Sequence, residues 1–359
     1  MISRVVKKGL MPAFVVFGVI AAAIFAPAVA SASKRLGTAM ASYSNPAVCY
    51  AYPACAIYTT DAFGPVHEDQ HSPELRNFAV FPGDFVRAAH FAPATAPGTK
   101  PPFSGLTLDA FGGLHPYSPG AQNAGSNCGV PGTAPCAPAS NPLVIGQEPS
   151  FNFDIARDFV FLPNGTGGYE IDGYGGIHPF SLGPNPMPPA AGQYPYYPGR
   201  DLAKKITILS SGTGGYEIDA FGGIHPWSAV GGTLPAQETQ EPYYPNLNIA
   251  RDLWLDPAST AASSSGYELD GYGGFHPWAA GTAILPVQMS DYPYYPGVDI
   301  ARIMWFQPNA SSSSSTGYQL DGYGGIHPFN TADNVRPPDF TDYAYWAGRD
   351  IARALFGSS

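Results

Sequence analysis

The chain has 359 residues and carries 17 Lys and Arg against 27 Asp and Glu, a formal net charge of −10. That balance argues against a nucleic-acid partner, which requires a basic face. Charged residues are only 12 %, aromatics 13 %, and Gly and Pro number 42 and 39; a disordered chain would be poorer in aromatics and richer in charge, so the composition indicates a folded, turn-rich β protein.

Residues 1–32 read as a secretory signal peptide. Arg4, Lys7 and Lys8 form a basic start, Leu10 to Phe25 is apolar, and Ala28-Val29-Ala30 or Ala30-Ser31-Ala32 offers a cleavage site. Residues 33–42 are an N-terminal linker. No later stretch is apolar enough to span a bilayer, so no membrane span is expected after cleavage. Export permits disulfides. The four cysteines fall as two local pairs, Cys49 with Cys55 and Cys128 with Cys136. Four cysteines allow three pairings, and the local one closes the smallest loops. Their spacings do not match a zinc ribbon, so no metal is expected.

Residues 43–359 are organised by a repeat, Asp–small–aromatic–Gly–Gly/Pro–apolar–His, in which the Asp is Asp61, Asp109, Asp172, Asp219, Asp270 and Asp321 and the His is His67, His115, His178, His225, His276 and His327. A second motif, Asp/Asn–apolar–Ala/Val–Arg/Lys, alternates with it and ends at Arg87, Arg157, Lys204, Arg251, Arg302 and Arg353. The apolar runs after that base read as buried strands. The Asp motif reads as a hairpin, with Gly175-Gly176 or Gly64-Pro65 as the centre of a two-residue type II′ turn. That register sets Asp172 opposite Pro179 and His178 opposite Gly173, so that Asp and His point to opposite sides and meet only across a blade boundary.

The chain opens on an Asp-motif hairpin (Tyr58 to His67) and ends on an Arg-motif strand (Ile351 to Phe356). Two half-repeats that complete one blade close a ring. The expected fold is therefore all-β, a six-bladed β-propeller with blades of about 50 residues. Residues 119–150 are extra length in one repeat and read as a loop insertion pinned by the Cys128–Cys136 bridge. Ser263–Ser265 and Ser311–Ser315 read as flexible hairpin loops on one side of the disc.

An Asp, a His and a base in every repeat read as a structural network, because a buried carboxylate must be paired. The base is the natural partner of the Asp172-type carboxylate. A catalytic group is normally single, so six copies nominate no catalytic residue. No nucleophile elbow, zinc-protease motif or phosphate-binding loop is present, and no cofactor is expected. The remaining signal is aromatic. Tyr194-Pro195-Tyr196-Tyr197-Pro198-Gly199 returns around Tyr243-Tyr244 and Tyr294-Tyr295, with a looser copy at Tyr343–Gly348. Tyr196, Tyr197, Tyr243, Tyr244, Tyr294 and Tyr295, with Trp227 and Trp278, are candidate sugar- or peptide-binding surfaces. The alternative is that one Tyr of each pair packs between blades.

The segments Gly167–Phe180, Gly214–Trp227, Gly266–Trp278 and Gly317–Phe329, each followed by an aromatic-Pro-Gly-x-Asp-Ile-Ala-Arg type of segment, resemble tandem repeats of secreted bacterial proteins. The resemblance covers residues 150–356 well and 43–118 loosely, where Pro65 replaces Gly and Phe85-Val86-Arg87 replaces Ile-Ala-Arg. It implies a propeller and export, and no shared activity.

The function expected from these readings is a secreted or cell-surface monomer that binds or scaffolds extracellular carbohydrate or another surface polymer. One alternative is a polysaccharide hydrolase or lyase with one site on the loop face, built from repeat-breaking residues such as Glu68, His71, His90 or the 119–150 loop. The other is a purely structural surface protein.

Overall fold

A computed structural model describes residues 57–357 except 69–71, 73–74, 77, 94–103, 120–142 and 241. The signal peptide, the linker, the four cysteines and His71 lie outside the described residues, as does most of the 119–150 insertion.

The described residues form six antiparallel sheets and no helix. Blade 1 pairs Ile57–Asp61 with Val66–Glu68 on one side and with Ala352–Gly357 on the other. The first and last described strands thus complete one sheet, as the half-repeats require. Each other blade has four strands. From the centre outward, blade 2 is Val86–Phe91, Gly105–Asp109, Leu114–Pro119 and Leu75–Arg76. Blade 3 is Ala156–Phe161, Gly167–Asp172, Ile177–Leu182 and Ile145–Gln147. Blade 4 is Ala203–Ile206, Gly214–Asp219, Ile224–Ala229 and Ala191–Gln193. Blade 5 is Ala250–Leu255, Ser263–Asp270, Phe275–Gly281 and Glu238–Gln240. Blade 6 is Ala301–Phe306, Thr316–Asp321, Ile326–Thr331 and Met289–Asp291. The innermost strands touch in a closed cycle, blades 1 to 6 and back to 1, around a central channel. The protein is a six-bladed β-propeller.

Two sequence readings change here. Ile145–Gln147, placed in the loop insertion, is the outer strand of blade 3. Ser263–Ser265 extend a strand rather than a loop, and Ser311 bridges Ser314.

The hairpin turn also differs from the two-residue reading. The Gly175 N–H donates to the Asp172 carbonyl at 2.9 Å, and the Asp172 N–H donates to the Gly176 carbonyl at 2.9 Å. Gly175 has φ +86°, and Ile171 pairs with Ile177. This is a turn over Gly173 and Tyr174 followed by a glycine bulge. The register differs from the II′ register by three residues. An odd shift moves side chains to the other face, so Asp172 and His178 lie on the same side of their own hairpin. Blade 1 repeats the geometry with Gly64 at φ +108°.

The core lies between blades. Trp227 and Trp278 are fully buried, each edge-on to a tyrosine of the preceding blade, Tyr169 or Tyr216, at 5.0 Å. The glycine before each such tyrosine is required by closeness: a methyl on Gly266 would overlap the Trp254 carbonyl and press on the Trp278 indole. Gly266→Ala should therefore lower unfolding free energy by about 2–3 kcal/mol. Urea denaturation checks this, and an unchanged midpoint would contradict the packing account.

Candidate binding face and channel network

The hairpin tips lie on one face of the disc, the turn face. The Gly173 N–H donates to the Ile155 carbonyl at the start of the inner strand of its own blade, and the Leu202 N–H at the start of the next donates to Gly173. Each turn is held by its aspartate. Asp172 Oδ1 accepts the amides of Tyr174 (2.8 Å) and Gly176 (3.0 Å), and Oδ2 lies 2.8 Å from His178 Nε2. The same three contacts recur at Asp109, Asp219, Asp270 and Asp321 with His115, His225, His276 and His327. Asp61 reaches the Phe63 amide and His67, and Pro65 has no N–H to add. Burial alone would raise the Asp109 carboxyl, but His115 and the Phe111 and Gly113 amides outweigh it and hold it below the usual carboxylate range.

The Asp and His therefore meet within one hairpin, not across a blade boundary, and the repeated base is not their partner. What crosses the boundary is an aromatic ring. Phe81, Phe151, Tyr197, Tyr244, Tyr295 and Trp346 sit edge-on to His115, His178, His225, His276, His327 and His67, 5.1–6.1 Å between centroids. Each aromatic donates its backbone N–H to the hairpin tip of the preceding blade, as Tyr197 does to the Tyr174 carbonyl at 2.7 Å.

The bases serve a second ring, at the channel mouth. Arg157 Nε and Nη2 donate to both oxygens of Asp201 in the next blade, at 3.0 and 2.6 Å, while Nη1 donates to its own Asp154 at 3.0 Å. Arg87 with Asp154, Arg251 with Asp299, Arg302 with Asp350, and Arg353 with Asp84 repeat the forked link. The partners are thus the acids three residues before each base. In all six blades the ladder register shifts at this base. Such a bulge re-aims a side chain, here toward the neighbouring blade. Lys204 makes no fork and reaches Asp201 at 4.0 Å.

Just inside the mouth lies a network that does not repeat. Asp158 Oδ1 contacts His90 Nε2 at 3.0 Å and Lys205 Nζ at 3.3 Å, and Lys205 reaches Asp252 Oδ1 at 3.5 Å. Asp158 also accepts the Ile206 amide, and Asp252 the amides of Leu253 and Met304. Burial would lower the Lys205 ammonium, but Asp158 and Asp252 hold it above its usual value. Burial raises Asp252 beyond what Lys205 offsets, whereas at Asp158 the pull of Lys205 and His90 outweighs burial. The Asp158 and Asp252 side chains are 1 % and 4 % exposed. Enclosed and fully hydrogen-bonded, they tie the inner strands of blades 2 to 6 together. His90 reads in the sequence as repeat-breaking. Asp158, Lys205 and Asp252 carry the same signal, since Ala88, Ile303 and Ala354 hold that position elsewhere.

The eight aromatic candidates divide. Trp227 and Trp278 are in the core and are not surface residues. Tyr197, Tyr244 and Tyr295 are half-buried in the clasp between blades. Tyr196, Tyr243 and Tyr294 project outward, 55–56 % exposed, and Tyr345 joins them at 56 %. Each stands on a loop that crosses the turn face from the rim to an inner strand. The loop ends in a tight turn: the Arg200 N–H donates to the Tyr197 carbonyl over Pro198 and Gly199, the latter at φ +71°. Asn246, at φ 64°, takes the same place, one of the few L-residues that tolerates it.

One more repeated position is buried and polar. Opposite the histidines stand Thr59, Thr107, Glu170, Glu217, Glu268 and Gln319. Burial pushes Glu217 well up, and the facing Tyr197 hydroxyl partly opposes this. Glu170 is under Phe151, which has no hydroxyl. Its carboxyl makes no hydrogen bond among the described residues, and burial, with Glu148, Asp109 and Asp172 nearby, pushes it up to about 10.

No protein-family model matches the sequence, and none of the curated proteins matches it. Solved structures with similar backbones include a nidogen/laminin complex chain, with 9 % identity and TM-score 0.43 over 85 % of this chain and 98 % of that one. Another is a putative 6-phosphogluconolactonase from Bacteroides uniformis, with 14 % identity and TM-score 0.36 over 85 % of each chain. Similarity at this level transfers neither activity nor partner.

Glu170 generates a pH test. Its folded value lies above the ordinary one, so the folded state keeps a proton that the unfolded state releases above about pH 4.5. Stability should fall as pH rises from there toward 10. Glu170→Gln, the side chain that blade 6 carries as Gln319, should remove that loss. The gap between variant and wild type in urea unfolding should widen from pH 5 to pH 8 by up to about 1.4 kcal/mol per pH unit; a gap independent of pH would refute a protonated Glu170.

Proposed function

We propose that the protein is a multivalent binding module whose turn face takes chains of extracellular carbohydrate. The observation that carries this reading is the set Tyr196, Tyr243, Tyr294 and Tyr345, exposed at equivalent places on consecutive crossing loops. A phenol ring offers a flat apolar face and a polar edge, which suits a sugar ring. The rings stand on backbone already fixed by the tight turn and by the adjacent half-buried aromatic, so little order has to be imposed on binding. Several weak equivalent contacts along one arc suit a polymer, which gains affinity through avidity. The leader-like residues 1–32 support an extracellular or cell-surface setting.

Calorimetric titration with soluble polysaccharides and oligosaccharides tests the reading. Binding at more than one position per chain is expected. Joint replacement of the four tyrosines by Ala should weaken polymer binding at least tenfold while leaving the circular dichroism spectrum and unfolding midpoint in place. Unchanged affinity in that variant, or one site per chain with product accumulating, would sink the proposal.

A further inference from the structure

The ring at the channel mouth has one imperfect junction, and it points to the chemistry of the ligand. Five junctions are closed by a guanidinium of one blade forked onto an aspartate of the next. At the sixth, between blades 4 and 5, the base is Lys204 and the facing residue is Asn248. The ring therefore contains six cations, Arg87, Arg157, Lys204, Arg251, Arg302 and Arg353, and five carboxylates, Asp84, Asp154, Asp201, Asp299 and Asp350.

The missing negative charge is localised. Asp201, the acid closest to Lys204 among the described ion pairs, is already held by both forks of Arg157, and Lys204 reaches it only at 4.0 Å. Asn248 accepts from Arg251 Nη1 at 3.3 Å through its carbonyl oxygen, and its amide N–H groups have no partner among the described residues. The Lys204 side chain is 20 % exposed, so solvent reaches it. Burial and the flanking cations Arg157 and Arg251 push its ammonium below the usual lysine range, against the pull of Asp201 and Asp219. Arg200, exposed beside Asp201, adds a further positive charge. The two loops that end in Asp201 and Asn248 are those that carry Tyr196 and Tyr243.

We propose that the Lys204–Asn248 junction is a subsite for the carboxylate of an acidic sugar residue, a uronate, lying between the Tyr196 and Tyr243 loops. This rests on the glycan reading above and makes it specific. The bound carboxylate supplies the charge that an aspartate supplies at the other five junctions, accepting from the Lys204 ammonium and the Asn248 amide. A carboxylate fits because the position is built, five times over, to hold one between two bases. A neutral sugar ring gains the stacking contact without this term.

The test is lysine-selective 13C NMR of the whole secreted chain, titrated with glucuronate, with its uncharged amide glucuronamide, and with acetate. Glucuronate should shift the Lys204 ε-carbon saturably and move the Lys204 titration upward. Glucuronamide should bind at least tenfold more weakly, and acetate likewise. Asn248→Asp, which restores the residue of the other repeats, should raise the Lys204 titration by itself and abolish the glucuronate response, with the unfolding midpoint equal or higher. An equal response to glucuronamide, or a response that survives Asn248→Asp, overturns the subsite. An acetate response as strong as that to glucuronate overturns the saccharide assignment and points to a carboxylate of any origin, such as an acidic peptide. Because this readout does not use the tyrosines, it separates from the aromatic reading: a glucuronate response at Lys204 together with tyrosine variants that bind polymer normally would remove the stacking role and leave the anion subsite standing.

Discussion

Everything in this propeller depends on one buried carboxylate per blade. An unpaired carboxylate at Asp172 would cost several kcal/mol, and it is paired within six residues of chain. Two amides of its own turn take one oxygen and a histidine takes the other. That arrangement fixes the turn, and the turn fixes the hairpin register. The histidine ring, held by the carboxylate, is the surface on which the aromatic of the preceding crossing loop rests. Local turn chemistry and blade-to-blade packing are thus a single contact chain, repeated six times, which accounts for a protein with few charges placing an acid and a histidine in every repeat.

The ring of bases at the channel mouth works differently. Its aspartates are about half exposed, so each pair alone contributes little. Forked geometry around the mouth makes them a network in which all five acids bridge two blades. The channel network of Asp158, Lys205 and Asp252 adds a buried version on one side only. Symmetric contacts build the ring, and the places where symmetry fails are where a ligand can be distinguished.

Blade number and ring closure were legible in the sequence because they depend only on spacing and on the half-repeats at either end. The turn was not. Gly175-Gly176 suggested a two-residue turn, but the informative feature was Asp172 followed three residues later by Gly175: an acid that can accept amides at the start of a turn and a glycine that can take positive φ at the bulge. Reading the pair of glycines as the turn centre moved the register by an odd number and put Asp172 and His178 on the wrong sides. The base was then assigned to Asp172, when Asp154 and Asp201 lay in the same motif as the bases they serve. Tyr196 and Tyr197 differ in exposure although adjacent, because the crossing loop presents neighbouring side chains to opposite sides. Trp227 follows a His-Pro and reads in the sequence as a candidate binding aromatic, yet it is buried between blades, edge-on to Tyr169.

The junction at Lys204 and Asn248 shows how a repeat can carry specificity without a dedicated pocket. Two substitutions face each other: the acid becomes an amide, and the base loses the fork that would have reached it. Either change alone would leave a mismatch, an arginine forked onto an amide or an aspartate out of reach of a lysine. Together they leave a cation with open donors at the unforked junction of the mouth ring. The ring keeps its strength because the other five junctions and the channel network hold it. Lys205, one residue further on and sealed between Asp158 and Asp252, spans the same blades from inside. The fold can therefore open one junction to solvent at little structural cost, because the load there is carried by a second, buried lysine.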